Sequence, residues 1–223
     1  MRFYKNFPEA LNEVKRELKE MGLLVHTKSV QNIVGDIEAY ELQFYQYRVD
    51  KPFYGDLTEA NGLDLKWCEA EFRERVSGEM LNPGEAWKLR EPYWKQFLNR
   101  WGRFDYSYPQ RYTLNLDHVI NALRKDIFTR RAFLPVLGLE DHADSFDKRF
   151  PCTIGYHFLF RQEKLDMQYQ LRSSDYFEHL ANDLYLSSKL QHHVANELGV
   201  KVGAFYHSVG SLHCFTRDVS SVF

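Results

Sequence analysis

The 223-residue chain has only three cysteines, Cys68, Cys152 and Cys214, widely separated and without a CxxC pair. That spacing excludes a zinc-ribbon type of site and a disulfide framework, and an odd set of thiols suits a reducing compartment. No run approaches the ~18 uninterrupted apolar residues of a membrane-spanning helix. The N-terminal MRFYKNFPEALNEVKRE lacks the apolar core of a secretory signal. Basic residues are not in excess: 29 Lys and Arg stand against 31 Asp and Glu, for a net charge of -2. This balance argues against a nucleic-acid-coating protein and leaves room for one local anion pocket. No internal repeat and no Gly/Ser/Pro-rich linker divides the chain, so residues 1–223 are expected to form one domain. The absences together describe a cytoplasmic protein with no metal, membrane or nucleic-acid partner.

What the chain has in abundance is aromatic residues: 17 Phe, 14 Tyr and 4 Trp. Residues 8–21 carry Leu11, Val14, Leu18 and Met21 on one stripe behind Asn6 and Pro8, the pattern of a capped helix. Residues 35–48 read as strand. Residues 63–76 and 115–128 read as helices, and residues 84–109 as a short helix with an ordered loop. Two β-like runs, 150–160 and 164–171, flank polar RQEK and predict a hairpin. Residues 176–198 predict a long helix ending at Gly199. Residues 200–216 predict a strand presenting His207, Val209, Ser211, His213 and Phe215 on one face. Strand-rich segments interleaved with long helices predict an α+β fold.

Some residues invite chemistry. Cys152, in Phe-Pro-Cys-Thr, is either a small buried apolar group or a nucleophile, and neighbouring positive charge would favour the reactive thiolate. Arg130 and Arg131 end a predicted helix, where they either complement its dipole or, with Arg172 and Lys28, hold a phosphate. Asp183 matters only if it faces the same cavity as Cys152. His192 and His193 are expected on an exposed helix face.

An ordered set of motifs resembles the thymidylate synthase superfamily: Thr-Arg-Arg (129–131), Phe-Pro-Cys-Thr (150–153), Arg-Ser-Ser-Asp (172–175), Asn-Asp (182–183) and Gly-Ser-Leu-His (210–213). Within it the details are most similar to the bacteriophage deoxycytidylate 5-hydroxymethylases. Those enzymes carry Asp where the synthases carry Asn, the position of Asp183. A carboxyl can accept from the 4-amine of cytosine and, when protonated, donate to N3, so Asn to Asp is a sensible uracil-to-cytosine exchange.

The resemblance implies a large mixed β-sheet packed with long helices, with one sheet face forming a homodimer interface. It implies transfer of a one-carbon unit from 5,10-methylenetetrahydrofolate to dCMP, with water giving 5-hydroxymethyl-dCMP. A dUMP-using synthase or hydroxymethylase, or a degenerate nucleotide-binding member, is the alternative. It assigns Cys152 as the nucleophile, Asp183 to the base and Tyr108 to the carbon-5 proton. Arg172 and Ser173 bind phosphate with Lys28, Arg130 and Arg131 reach the phosphate of the partner subunit, and His213 lies on the sugar side. Asp175 and Trp94 belong to the folate. The family's water-handling glutamate falls at Asp64, or at Glu69 or Glu71 in a shifted register. Phe215 stands where the family has a tyrosine that contacts the sugar, and family members continue beyond the point matching Phe223 into a segment that helps close the site.

Overall fold

The computed structural model describes residues 1–30, 33–141 and 149–223, with side chains described for 1–27, 37–141 and 149–223. Among the described residues, strand β1 (Arg2–Tyr4) leads into helix α1 (Phe7–Met21). Asn6 Oδ1 accepts from Glu9 N at 3.0 Å, Pro8 occupies the first turn, and Leu11, Val14 and Leu18 are buried as the stripe predicts, joined by Phe7 and Ala10, while Met21 at the helix end is exposed. Strands β2 (Leu23–Val30) and β3 (Ile33–Val49) follow, then helices α2 (Leu65–Arg75), α3 (Glu91–Trp94), α4 (Tyr108–Tyr112) and α5 (Asn115–Lys125). Strands β4 (Phe133–Pro135), β5 (Thr153–Arg161) and β6 (Lys164–Asp175) precede helix α6 (Ala181–Leu198) and strand β7 (Lys201–Phe215).

The expected hairpin is β5–β6, turned at Gln162 and Glu163, whose φ values of 49° and 61° are both left-handed. Strand β5 begins at Thr153, later than the sequence suggested, and Cys152 lies just ahead of it. Strands β6 and β7 are parallel, and α6 supplies the crossover that such a pair requires. Gly199, at φ 66°, ends α6 as its position predicted.

All seven strands form one mixed sheet ordered β1-β3-β7-β6-β5-β4, with β2 beside β3. Helices α1, α2, α5 and α6 cover one side, over a core that includes Met167, Tyr169, Leu171, Phe205 and Val209. This is the α+β layout expected. Many rings are core groups: Tyr156 and Tyr169 stack at 4.8 Å, and Tyr169 lies 5.3 Å from His207.

Two expectations need correction. The single face of β7 does not run through. Ladder pairing is interrupted at one level across three strands, at Phe44, Gly210 and Arg172. A Cβ on Gly210 would lie 2.7 Å from Arg172 O, so the strands can approach there only because residue 210 is glycine. Before this level the core takes His207 and Val209; after it, Leu212 and Cys214, while Ser211 and His213 stay partly exposed. Nor are His192 and His193 fully exposed. His192 Nε2 bonds the Pro52 carbonyl at 3.0 Å, and His193 packs against Phe72, because the loop after β3 and helix α2 fold onto that side of α6.

Candidate active site

The segment ahead of β5 carries Cys152 to the start of the sheet, next to β6. Arg172 N donates to Cys152 O at 2.9 Å, which locks the two segments side by side. The Arg172 side chain donates to Pro151 O and Phe150 O at 2.9 Å each, and its Nη2 lies 3.6 Å from Cys152 Sγ. Burial pushes the Cys152 thiol above its ordinary value, Arg172 and Arg149 pull it back, and Asp183 adds to the rise.

Asp183 stands in the first turn of α6, half-buried among Arg75, Arg90 and Asp175. Burial pushes its pKa up to about 7, against the pull of Arg75 and then Arg90. Its charge is also felt at Cys152, Tyr108 and Tyr169, so these groups share one environment. Tyr108, held at the start of α4 by the Ser107 cap, bonds Thr153 Oγ1 at 2.9 Å, and Thr153 bonds Tyr169 at 3.0 Å. Burial holds both phenols well above the ordinary tyrosine range.

A cavity lined by Trp67, Glu71, Arg75, Trp94, Tyr106 and Tyr108 adjoins this cluster. Trp94 forms part of its wall, with its ring packed against Trp67 at 6.0 Å and the Arg149 guanidinium at 4.8 Å. The indole N–H groups of Trp67, Trp87 and Trp94 are buried without a partner among the described residues.

Asp64 is engaged elsewhere. It caps α2, accepting from Trp67 N at 3.0 Å, and its other oxygen lies 3.8 Å from Arg90 Nε. Glu69 accepts from Tyr185 and Lys189, whose bonds outweigh burial and hold its carboxyl below the ordinary range. Glu71 alone of the three carboxylates lines the cavity.

His213 pairs in register with Asp175 on one side and Glu41 on the other. Burial keeps its pKa below the ordinary histidine value, and Phe215 meets it edge-on at 4.9 Å. Ser211 donates to Glu41 beside it. Asp175 accepts from Phe177 N at 2.9 Å and Glu178 N at 3.5 Å, and burial lifts its pKa to about 6. Ser173 is next to Ser211 across the ladder. Arg130 and Arg131 are exposed between α5 and β4, and neither makes an ion pair among the described residues. Lys28 falls in β2, with its side chain outside the described ones.

The structure thus brings Cys152, Arg172, Asp183 and Tyr108 together, and sets Ser173, Asp175 and His213 on adjoining ladder positions. Arg75, Arg90 and Arg149 had not been singled out. The charged run EFRER of α2 gives no local sign that Arg75 is buried, and nothing local marks Arg149 as the group caged by Trp94, Phe97, Phe104 and Tyr106 at 4.6–5.7 Å. Among the described residues no helix is long and apolar enough to cross a membrane.

Comparison with known proteins identifies the family. The family model described as thymidylate synthase matches residues 71–222. A thymidylate synthase from Listeria monocytogenes serotype 4b (strain F2365) is 24% identical over 164 residues, 69% of this chain and 50% of that protein. The chain therefore spans about half the length of that relative.

Proposed function

The chain belongs to the thymidylate synthase family, and from that premise we propose that it hydroxymethylates carbon 5 of dCMP. The one-carbon donor is 5,10-methylenetetrahydrofolate, and the products are 5-hydroxymethyl-dCMP and tetrahydrofolate. The observation that carries this reading is Asp183, a carboxyl whose pKa burial lifts to about 7. At neutral pH such a group exchanges a proton readily. It can donate to N3 of cytosine while its second oxygen accepts from the 4-amine. Uracil carries a proton at N3 and a carbonyl at carbon 4, and the ionised carboxylate, which only accepts, leaves that carbonyl unpaired.

The other residues fall into roles around it. Cys152 adds as thiolate to carbon 6, which turns carbon 5 into a nucleophile, and Arg172 stabilises the thiolate. Tyr108 and Glu71 flank the cavity where the carbon-5 proton leaves and water arrives. Arg172 and Ser173 take the phosphate, and His213 the sugar. The folate supplies the carbon when bound. Unpartnered indole donors and aromatic walls suit a flat heteroaromatic ring with acceptor atoms.

The open face of the sheet, with Gln43 and Gln46 exposed, is in this reading the contact between two copies. Arg130 and Arg131, exposed and without ion-pair partners among the described residues, then reach the phosphate on the other subunit.

The test is a product assay with dCMP and dUMP side by side, reading tritium release from carbon 5 and the product mass. Release from dCMP with a hydroxymethyl product supports the reading. Strong release from dUMP with none from dCMP overturns the base assignment, and none from either makes the chain a binding protein. Asp183→Asn should shift preference toward dUMP.

A further inference from the structure

Arg75 closes the last turn of α2 and is only 5% exposed, an unusual depth for a side chain that never gives up its charge. Its Nε donates to Glu71 Oε1, one helical turn earlier, at 2.8 Å. Its guanidinium lies 3.7 Å from the centroid of the Tyr108 ring and 6.0 Å from that of Tyr112. A buried ion pair is rarely a better packing element than an apolar side chain of the same volume. This pair, moreover, sits in the wall of the cavity, between one helix that carries Glu71 and another that carries Tyr108. Among the groups that act on Asp183 it is also the foremost positive one.

We propose that Arg75 is a positioning residue for the reaction: it clamps Glu71 and Tyr108 at the proton-handling end of the cavity and supplies the fixed positive charge that faces Asp183. The inference rests on the roles given above to Glu71, Tyr108 and Asp183. The charged and titratable groups around Asp183 are Arg75 and Cys68 from α2, Arg90 from the turn before α3, and Tyr108 from α4. Cys152 ahead of β5 and Asp175 and Tyr169 from β6 complete the set. Of these, Arg75 alone also bonds Glu71.

The test uses the whole protein in three variants, Arg75→Met, Arg75→Gln and Arg75→Lys, with two readouts. One is the carbon-13 titration of labelled aspartate carboxyls, with Asp183→Asn identifying the Asp183 signal. The other is steady-state tritium release from [5-³H]dCMP. In Arg75→Met and Arg75→Gln the Asp183 midpoint should rise by about one pH unit. In the same variants kcat should fall at least about tenfold while KM for dCMP stays within about threefold. Arg75→Lys should hold the midpoint near the wild-type value and recover part of kcat.

A folded Arg75→Met protein with an unmoved Asp183 midpoint and unmoved kcat overturns the proposal; if Arg75→Met does not fold, Arg75→Gln against Arg75→Lys decides it by the same criteria. If the wild type releases no tritium from either nucleotide, the functional reading fails, and the Asp183 titration still decides whether Arg75 faces that carboxyl as proposed.

Discussion

Arg172 binds the backbone on which Cys152 sits and the Cys152 sulfur at once: two carbonyl bonds of 2.9 Å to Phe150 and Pro151, and a 3.6 Å approach to Sγ. One guanidinium therefore fixes the position of the thiol and tunes its charge.

Removing that guanidinium should have two separable effects. In Arg172→Met the alkylation of Cys152 by iodoacetamide, followed by peptide mass spectrometry across pH, should need a pH higher by about one unit. Denaturant melts should show a loss of about 1–3 kcal/mol from the two carbonyls left unpaired. An unchanged alkylation profile would mean that the sulfur does not sense Arg172.

Asp183 sets a pH dependence of opposite sign to that of a salt-bridged carboxylate. Its pKa in the folded protein, about 7, lies above the ordinary aspartate value. Below the unfolded pKa both states are protonated and the group contributes nothing. As pH rises toward 7 the unfolded chain ionises first, so stability falls, by on the order of 4 kcal/mol once both states are ionised. Asp175, lifted to about 6, acts in the same direction. Asp183→Asn should therefore melt higher than wild type at pH 8 and about the same at pH 4. Calorimetry at the two pH values checks it, and equal pH slopes for the two proteins would contradict it.

Gly210→Ala should be costly out of proportion to one methyl group. The added Cβ would sit 2.7 Å from Arg172 O, which is backbone and can yield only if β6 moves. A loss of about 1–3 kcal/mol is expected, together with slower Cys152 alkylation as Arg172 shifts. Wild-type melting and alkylation in this variant would show that the strands have slack at this level.

Asp64 and Glu71 should part company. Asp64→Ala removes the cap of α2 and should cost about 1 kcal/mol of stability while tritium release from carbon 5 persists. Glu71→Gln, which keeps the oxygen that accepts from Arg75 but loses the charge, should lower the melting temperature and stop turnover even at temperatures where the variant is folded. The reverse pattern would return the water-handling role to Asp64.

Mixed dimers test the exposed arginines. A Cys152→Ala protein and an Arg130→Ala/Arg131→Ala protein, each inactive alone, should regain activity after joint refolding, because one mixed site has an intact cysteine and intact arginines. Absence of recovery in a proven heterodimer would place the arginines in their own subunit's site.

Helix α1 was legible because its periodicity is imposed by one buried face, Leu11, Val14 and Leu18, whereas α6, buried nearly all round, was legible from its apolar positions Leu184, Leu190 and Val194 and its stop at Gly199. Strands β1 and β4, three residues each, are too short to show any period. Cys152, Arg172 and Asp183 were legible through motif order and Tyr108 only through the wider resemblance, and the fold brings the four together. What distinguishes Asp64, Glu69 and Glu71 was not, because it lies in what each touches: a helix end, Lys189 with Tyr185, or the cavity. Arg75 was hidden for the same reason. Its charged neighbours give no sign that the Tyr108 ring of α4 covers its guanidinium.

The interruption at Phe44, Gly210 and Arg172 has a bearing on how this sheet can change over generations. It splits three strands into segments that obey opposite odd–even rules. Each segment therefore has its own set of positions that must fit the core, His207 and Val209 before the break and Leu212 and Cys214 after it. A one-residue insertion or deletion within β7 upstream of Gly210 would offer the His207 position to the wrong surroundings while leaving His213 in place. Length in these strands should therefore be held far more tightly than identity.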